Sequence, residues 1–162
     1  MKTLHFTSKK IKLILVGLFI STISFSQNYI DNTTLNTQKL SEIFKNAYVE
    51  VLQVNSSYLK IKDKYETFVD LDSQNRYISI SGNYALQPNL TKMEILEFIN
   101  KLNTEVALVK SYYGENNNSI NYVAYLWIEK GFTDATLIKM LKSYNLALDL
   151  ILQKDPDYKY LK

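Results

Sequence analysis

The chain predicts an α+β fold, an antiparallel sheet with helices packed mainly on one of its faces. Three observations predict it. Stretches of period-two alternation follow one another through residues 58–81 and recur after residue 106. Three separate segments carry apolar residues at three- and four-residue spacing, the mark of a helix with one buried stripe. The links between the alternating stretches are short and polar, which suits hairpins, because parallel strands would need long crossovers.

The elements follow in the order α-β-β-β-α-β-β-α. A first helix is predicted from about Leu35 to Ala47, with Leu40, Ile43, Phe44 and Ala47 on one side. Around Val49, Val51 and Val54 the period is ambiguous, the β-branched residues favouring entry into a strand and the spacing still allowing helix. Three short strands come next. Tyr58–Lys62 has Leu59 and Ile61 on one face, Tyr65–Leu71 follows the tight Asp63-Lys64 link, and Arg76–Ser81 follows the polar turn Asp72–Asn75. Thr91-Lys92-Met93-Glu94 is a capping box for a second helix, kept from starting earlier by Pro88, with Leu96, Ile99, Leu102 and Val106 as its stripe. Two longer strands, about Val106–Tyr113 and Ile120–Glu129, flank the Asn-rich link after Gly114, and Gly82 and Gly114 are both read as turn glycines. Thr133 caps a third helix, Asp134 to Gln153, with Leu137, Leu141, Tyr144, Leu148 and Ile151 as its stripe and Asp155-Pro156 as its stop.

Residues 1–26 read as a secretory signal peptide. Lys2, Lys9, Lys10 and Lys12 precede an apolar run from Leu13 to Phe25, and small residues at Ser24 and Ser26 set cleavage near Ser26/Gln27. The run is about 13 residues, short of the roughly 20 of a spanning helix, so membrane contact is expected only through this transient leader. The expected location is the periplasm or the outside of the cell. The organisation is then a polar segment over 27–36, a single domain over 37–154 and a polar tail over 155–162.

Removing the leader removes His5, the only histidine, and the chain has no cysteine. Fifteen basic residues then face sixteen acidic ones, a net charge of −1, which gives little attraction to nucleic acid. Ser-His-Asp triads, Cys nucleophiles and most zinc sites are excluded. The acids Asp63, Glu66, Asp70 and Asp72 cluster in sequence, but at a turn such residues ordinarily satisfy backbone groups. Asp70-x-Asp72-x-x-Asn75 lacks the glycine and the distal bidentate Glu of a calcium loop. Ser111 beside Lys110 shows only ordinary strand composition. No catalytic, metal or cofactor residue is therefore expected, and the chain is not expected to be an enzyme.

Three stretches carry a likeness to a known family. They are Tyr58 to Asp72, a strand pair closing in acids, Ile99-Asn100-Lys101-Leu102-Asn103 at the end of the second helix, and Glu129-Lys130-Gly131 leading into the helix after Thr133. From about Thr37 to Gln153 the chain resembles the YbjN family, described as sensory transduction regulators, whose fold is like that of type III secretion chaperones. The resemblance implies a chaperone-like fold and a role in binding segments of other proteins, and it supplies no catalytic motif.

The best functional lead in the residues themselves is aromatic. All thirteen tyrosines and the single tryptophan follow the leader. With Tyr122 and Leu126 under the helices, Val123, Tyr125 and Trp127 point the other way, and Tyr58 and Tyr77 join them beside Lys60 and Lys62. Tyr and Trp combine large apolar area with a polar tip and are enriched at interfaces. These five are the candidate partner-binding residues. Two arrangements are open: the face is covered as core, by the first helix or a homodimer, or it is a surface for a different protein. The expected function is an exported, non-enzymatic interaction module, adaptor or chaperone-like. The alternatives are a binder of a small apolar ligand between sheet and helices and, third, a carboxylate-based hydrolase.

Overall fold

The computed structural model describes residues 29–162, so the leader expected over 1–26 lies outside the described residues. The chain runs β1 (Tyr29–Ile30), α1 (Thr37–Asn46), β2 (Glu50–Val54), β3 (Tyr58–Lys62), β4 (Glu66–Leu71), β5 (Tyr77–Ala85), α2 (Lys92–Glu105), β6 (Lys110–Gly114), β7 (Ser119–Trp127), β8 (Phe132–Thr133) and α3 (Asp134–Gln153). The main sheet has six strands in the order β2-β3-β4-β5-β7-β6, every pair antiparallel, and β1 pairs with β8 in a separate ribbon. The expected α+β class and one-sided packing are what the chain adopts. The ambiguous stretch after α1 resolves as a strand, β2, which adds a fourth strand to the first run.

Local chemistry accounts for the helix boundaries. The Asn36 side chain accepts the Lys39 amide to start α1, Thr91 and Glu94 form the complete capping box of α2, and Thr133 accepts the Thr136 amide at α3. The α3 stripe is buried as expected, and so are Leu40, Ile43 and Phe44 of α1, while Ala47 lies just past that helix and is half-buried. In α2 the buried set is Ile95, Phe98, Ile99 and Leu102, and Leu96 is 44% exposed. The sequence stripe was thus one residue out of phase at its start, because Leu96 and Ile95 fit a 3.6-residue period about equally well.

One face of the sheet is the core. Leu59, Ile61, Val69, Ile78, Ile80, Ile120 and Tyr122 are buried under the three helices together with Leu40, Phe44, Leu102, Leu141 and Tyr144. Each such side chain contributes roughly 1.5–3 kcal/mol by leaving water. Gly82 is a buried residue within β5, facing α3, and not a turn residue. A Cβ there would lie 2.9 Å from the Tyr144 hydroxyl and 3.1 Å from Tyr84 Cε2. The alternation around it is strand-like, and only the tyrosines folded over it explain the missing side chain.

Those tyrosines fill the space between sheet and α3. Tyr84 and Tyr122 rings lie 5.3 Å apart, and the Tyr144 hydroxyl donates to the Tyr122 carbonyl at 3.1 Å. Burial pushes the pKa of both Tyr122 and Tyr144 up. The Tyr122 hydroxyl is buried without a hydrogen-bond partner among the described residues. Tyr122→Phe is therefore expected to keep or raise stability, by up to about 1 kcal/mol, since it removes a desolvated polar group. Denaturant titration checks this, and a clear loss of stability would mean the hydroxyl is satisfied in solution.

Both polar ends of the domain are docked onto it. From the N-terminal segment, Ile30 and Leu35 enter the core. Beyond α3, the buried Asp155 carboxylate accepts the amides of Lys159, Tyr160 and Leu161, Tyr160 stacks on Phe98 at 4.1 Å, and Leu161 bridges to Leu86. Residues 155–162, expected as a polar tail, thus close over α2. Their polarity hid two buried anchors. No helix among the described residues is long and apolar enough to cross a membrane.

Candidate interaction surface

The face of the sheet turned away from the helices carries all five residues singled out above. The register sets Tyr58 opposite Asp70, Asp70 opposite Ser79, and Ser79 opposite Tyr125, with Tyr77 opposite Trp127 one step along. Alternation in each strand sends the intervening residues into the core. Tyr125 is 50% exposed and Trp127 67%, so no helix of the described residues covers them. Tyr77 holds both rings edge-on, at 5.5 Å to Tyr125 and 5.4 Å to Trp127. A second pair, Tyr58 and Phe68 at 5.9 Å, stands across Asp70 and Ser79. Phe68 shares this face because it alternates in β4 with the buried Thr67 and Val69.

Val123 departs from the expectation of a contact residue. It lies on this face, but with 5% exposure it forms part of the floor, between Ser81 of β5 and Lys110 of β6. A residue flanked on both sides by strands is shielded where one near a strand end is not.

Charged groups on and around this surface are mostly neutralised locally. Lys60 pairs with Glu66 at 2.6 Å and its ammonium lies 6.0 Å from the centre of the Phe68 ring. Arg76 grips both oxygens of Asp72, at 2.8 and 3.0 Å, and holds its pKa down to about 2. Asp63 receives Lys142 and Asn145 from α3, and Asp149 receives Lys64 and the Tyr65 hydroxyl, clamping the β3–β4 turn to α3. The acids clustered in sequence are thereby dispersed into separate structural contacts. Among the described residues no group of three or more His, Cys, Asp or Glu comes together to hold a metal ion.

Asp70 is the exception in that cluster. It has no hydrogen-bond or ion-pair partner among the described residues, and burial raises its pKa above the ordinary 3.8. The sign of its effect follows. The folded state disfavours the ionised carboxylate, so a penalty is present above the folded pKa and fades as the pH falls through it toward 3.8. Asp70→Asn is expected to melt at a higher temperature than the parent at neutral pH, with the gap shrinking as the pH is lowered. A gap that is equal at pH 7 and pH 4 would contradict this.

The fold and this surface define a class: a small α+β domain with helices on one side of a sheet and an unfilled aromatic face on the other. The YbjN profile, described as "Putative bacterial sensory transduction regulator", matches residues 58–152. The chain belongs to the YbjN family. Its fold is similar to that of YbjN from E. coli, described as "a putative transcription regulator", at a TM-score of 0.65 and 11% identity over 77% of this chain and 94% of that one. It is similar to an uncharacterized protein of Methanothermobacter thermautotrophicus, TM-score 0.53, 12% identity, over 75% and 98% of the two chains. A third likeness is to a chain of the HopA1-SchA chaperone-effector complex, TM-score 0.50, 7% identity, over 74% and 89%. No curated protein sequence matches significantly.

Proposed function

We propose that the chain is an exported, non-enzymatic protein-interaction module, adaptor or chaperone-like in action, that engages its partner through the outward aromatic face. The observation that carries this reading is the exposed Tyr77–Tyr125–Trp127 cluster. A monomer gains nothing from holding two large rings in water, whereas an interface gains most from such anchors at its centre. The likeness to a chain of a chaperone-effector complex supports a protein as partner, and YbjN membership supports a regulatory setting. The leader-like residues 1–26 support export, which places the partner in the periplasm or outside the cell.

The test is capture. The full-length chain, tagged at its C-terminus and expressed in its own cells, is recovered from envelope and culture fractions beside the Tyr125→Ser/Trp127→Ser variant. A protein retained stoichiometrically by the parent and lost from a folded variant is the expected result. Equal retention by both would overturn the aromatic face as the contact, and recovery only from the cytoplasm would overturn export.

A further inference from the structure

Both outer edges of the sheet are blunted, but a step inside it is not. On β2 the pairing shifts between Val51 and Gln53, an irregularity that bends an edge away from further pairing. On β6 the Asn103 side chain takes both the N–H and the C=O of Ser111, at 2.8 and 3.0 Å. β7, however, outruns β6. The β6 pairing begins at Lys110–Val123, while β5 pairs with β7 as far as Trp127.

The direction of the free groups follows from one bond. The Ile128 amide donates to the Arg76 carbonyl at 2.8 Å, so residue 128 and every second residue before it turn their backbone toward β5. Tyr125 and Trp127 therefore turn both N–H and C=O the other way, past the end of β6. No hydrogen bond to those groups occurs among the described residues. Four strong backbone groups thus stand in register and unpaired, spaced as an extended segment would need.

The flank of this step is shaped as well. Leu108, Ala124, Leu126, Met140 and Tyr144 line an apolar pocket of about 270 Å³ that also reaches Tyr125. Leu108 is 75% exposed and sits at φ 72°, a left-handed conformation that is costly for a bulky side chain. Its turn is what takes the chain away from β7 and leaves the step open. Lys139, which also lines this pocket, has no carboxylate partner among the described residues.

We propose that the step at Tyr125–Trp127 takes an extended segment of a partner protein as an added strand, with one apolar side chain in the Leu108–Met140 pocket and an acidic residue facing Lys139 beside it. This rests on the reading of the aromatic face as the partner surface. It adds the recognition mode: backbone pairing supplies affinity, while the pocket and Lys139 select apolar-acidic segments.

The probe is a set of random dodecapeptides displayed and selected on the full-length chain, then synthesised with single N-methyl groups along their length. Selected peptides are expected to carry an apolar residue two positions from an acid, and to lose binding only where N-methylation falls on alternate residues. On the protein, Trp127→Ala removes the ring and keeps the amide, whereas Trp127→Pro also removes the amide without breaking a bond to β5. Binding is expected to be weaker in the proline variant than in the alanine variant by about tenfold, the worth of one hydrogen bond.

N-methyl effects without a period of two, with Trp127→Pro and Trp127→Ala binding alike, would overturn strand addition and leave the aromatic face standing if Tyr125→Ser/Trp127→Ser still abolishes binding. Peptides that bind that double variant undiminished would overturn both readings. A homodimer that Trp127→Pro dissolves would overturn the partner segment in favour of a second copy. If the proline variant does not fold, the N-methyl series on the parent chain decides alone.

Discussion

Replacing Tyr125 and Trp127 together by serine is expected to remove partner binding almost completely while the domain stays folded. Anchors of this kind cost about 2 kcal/mol or more each on truncation, so the pair accounts for about several hundredfold or more in affinity. The cost to the fold is smaller. Both rings are half or more exposed and rest mainly on Tyr77, and edge-on aromatic contacts contribute about 0.5–1.5 kcal/mol each. A loss of about 1–3 kcal/mol leaves a typical domain of this size folded, given a total of 5–15 kcal/mol. Partner titration by calorimetry, with circular dichroism melting of the same sample, separates the two effects. Unaltered affinity in a folded variant would remove the aromatic face from consideration, and global unfolding would show these rings to be part of the core.

Gly82→Val is expected to do the opposite and strike the fold. The added Cβ meets the Tyr144 hydroxyl at 2.9 Å and Tyr84 at 3.1 Å, and the γ-methyls reach further into the same layer. Tyr144 cannot swing aside freely, because it is almost fully buried and its hydroxyl donates to the Tyr122 carbonyl. Overpacking of this kind costs about 1–3 kcal/mol, and the broken buried hydrogen bond adds about 1 kcal/mol or more. Chemical denaturation should show a midpoint well below the parent's, and Gly82→Val/Tyr144→Phe should recover part of the loss because the hydroxyl is the nearest obstacle. A valine variant as stable as the parent would mean that α3 stands further from β5 than described.

Much of the architecture was written locally. Helix α3 begins and ends where Thr133 and Asp155-Pro156 place it, and the capping box at Thr91 and Glu94 fixed α2 in the same way, since a cap needs only neighbours in sequence. Alternation in β7 likewise assigned Tyr122 and Tyr125 to opposite faces before any fold was known. Where two phases fitted equally, as for Ile95 and Leu96, the sequence had no means to choose. Where pattern and role parted, as at Gly82, a strand glycine looked like a turn.

The site divides along the same line. Period two by itself determined that Tyr125 and Trp127 share one face of their strand, opposite to Tyr122 and Leu126, because the side-chain direction in a strand depends only on parity. Their exposure depended on whether any other element lay over that face, which is a question of long-range packing. Val123 shows the limit from the other side, with the same parity and the same strand but a position shielded between β5 and β6. The free step on β7 was out of reach of any sequence pattern, for it exists only because β6 starts late against β7 and Leu108 turns the chain away. Periodicity is a property of single strands, and an unpaired edge is a property of where two of them stop pairing.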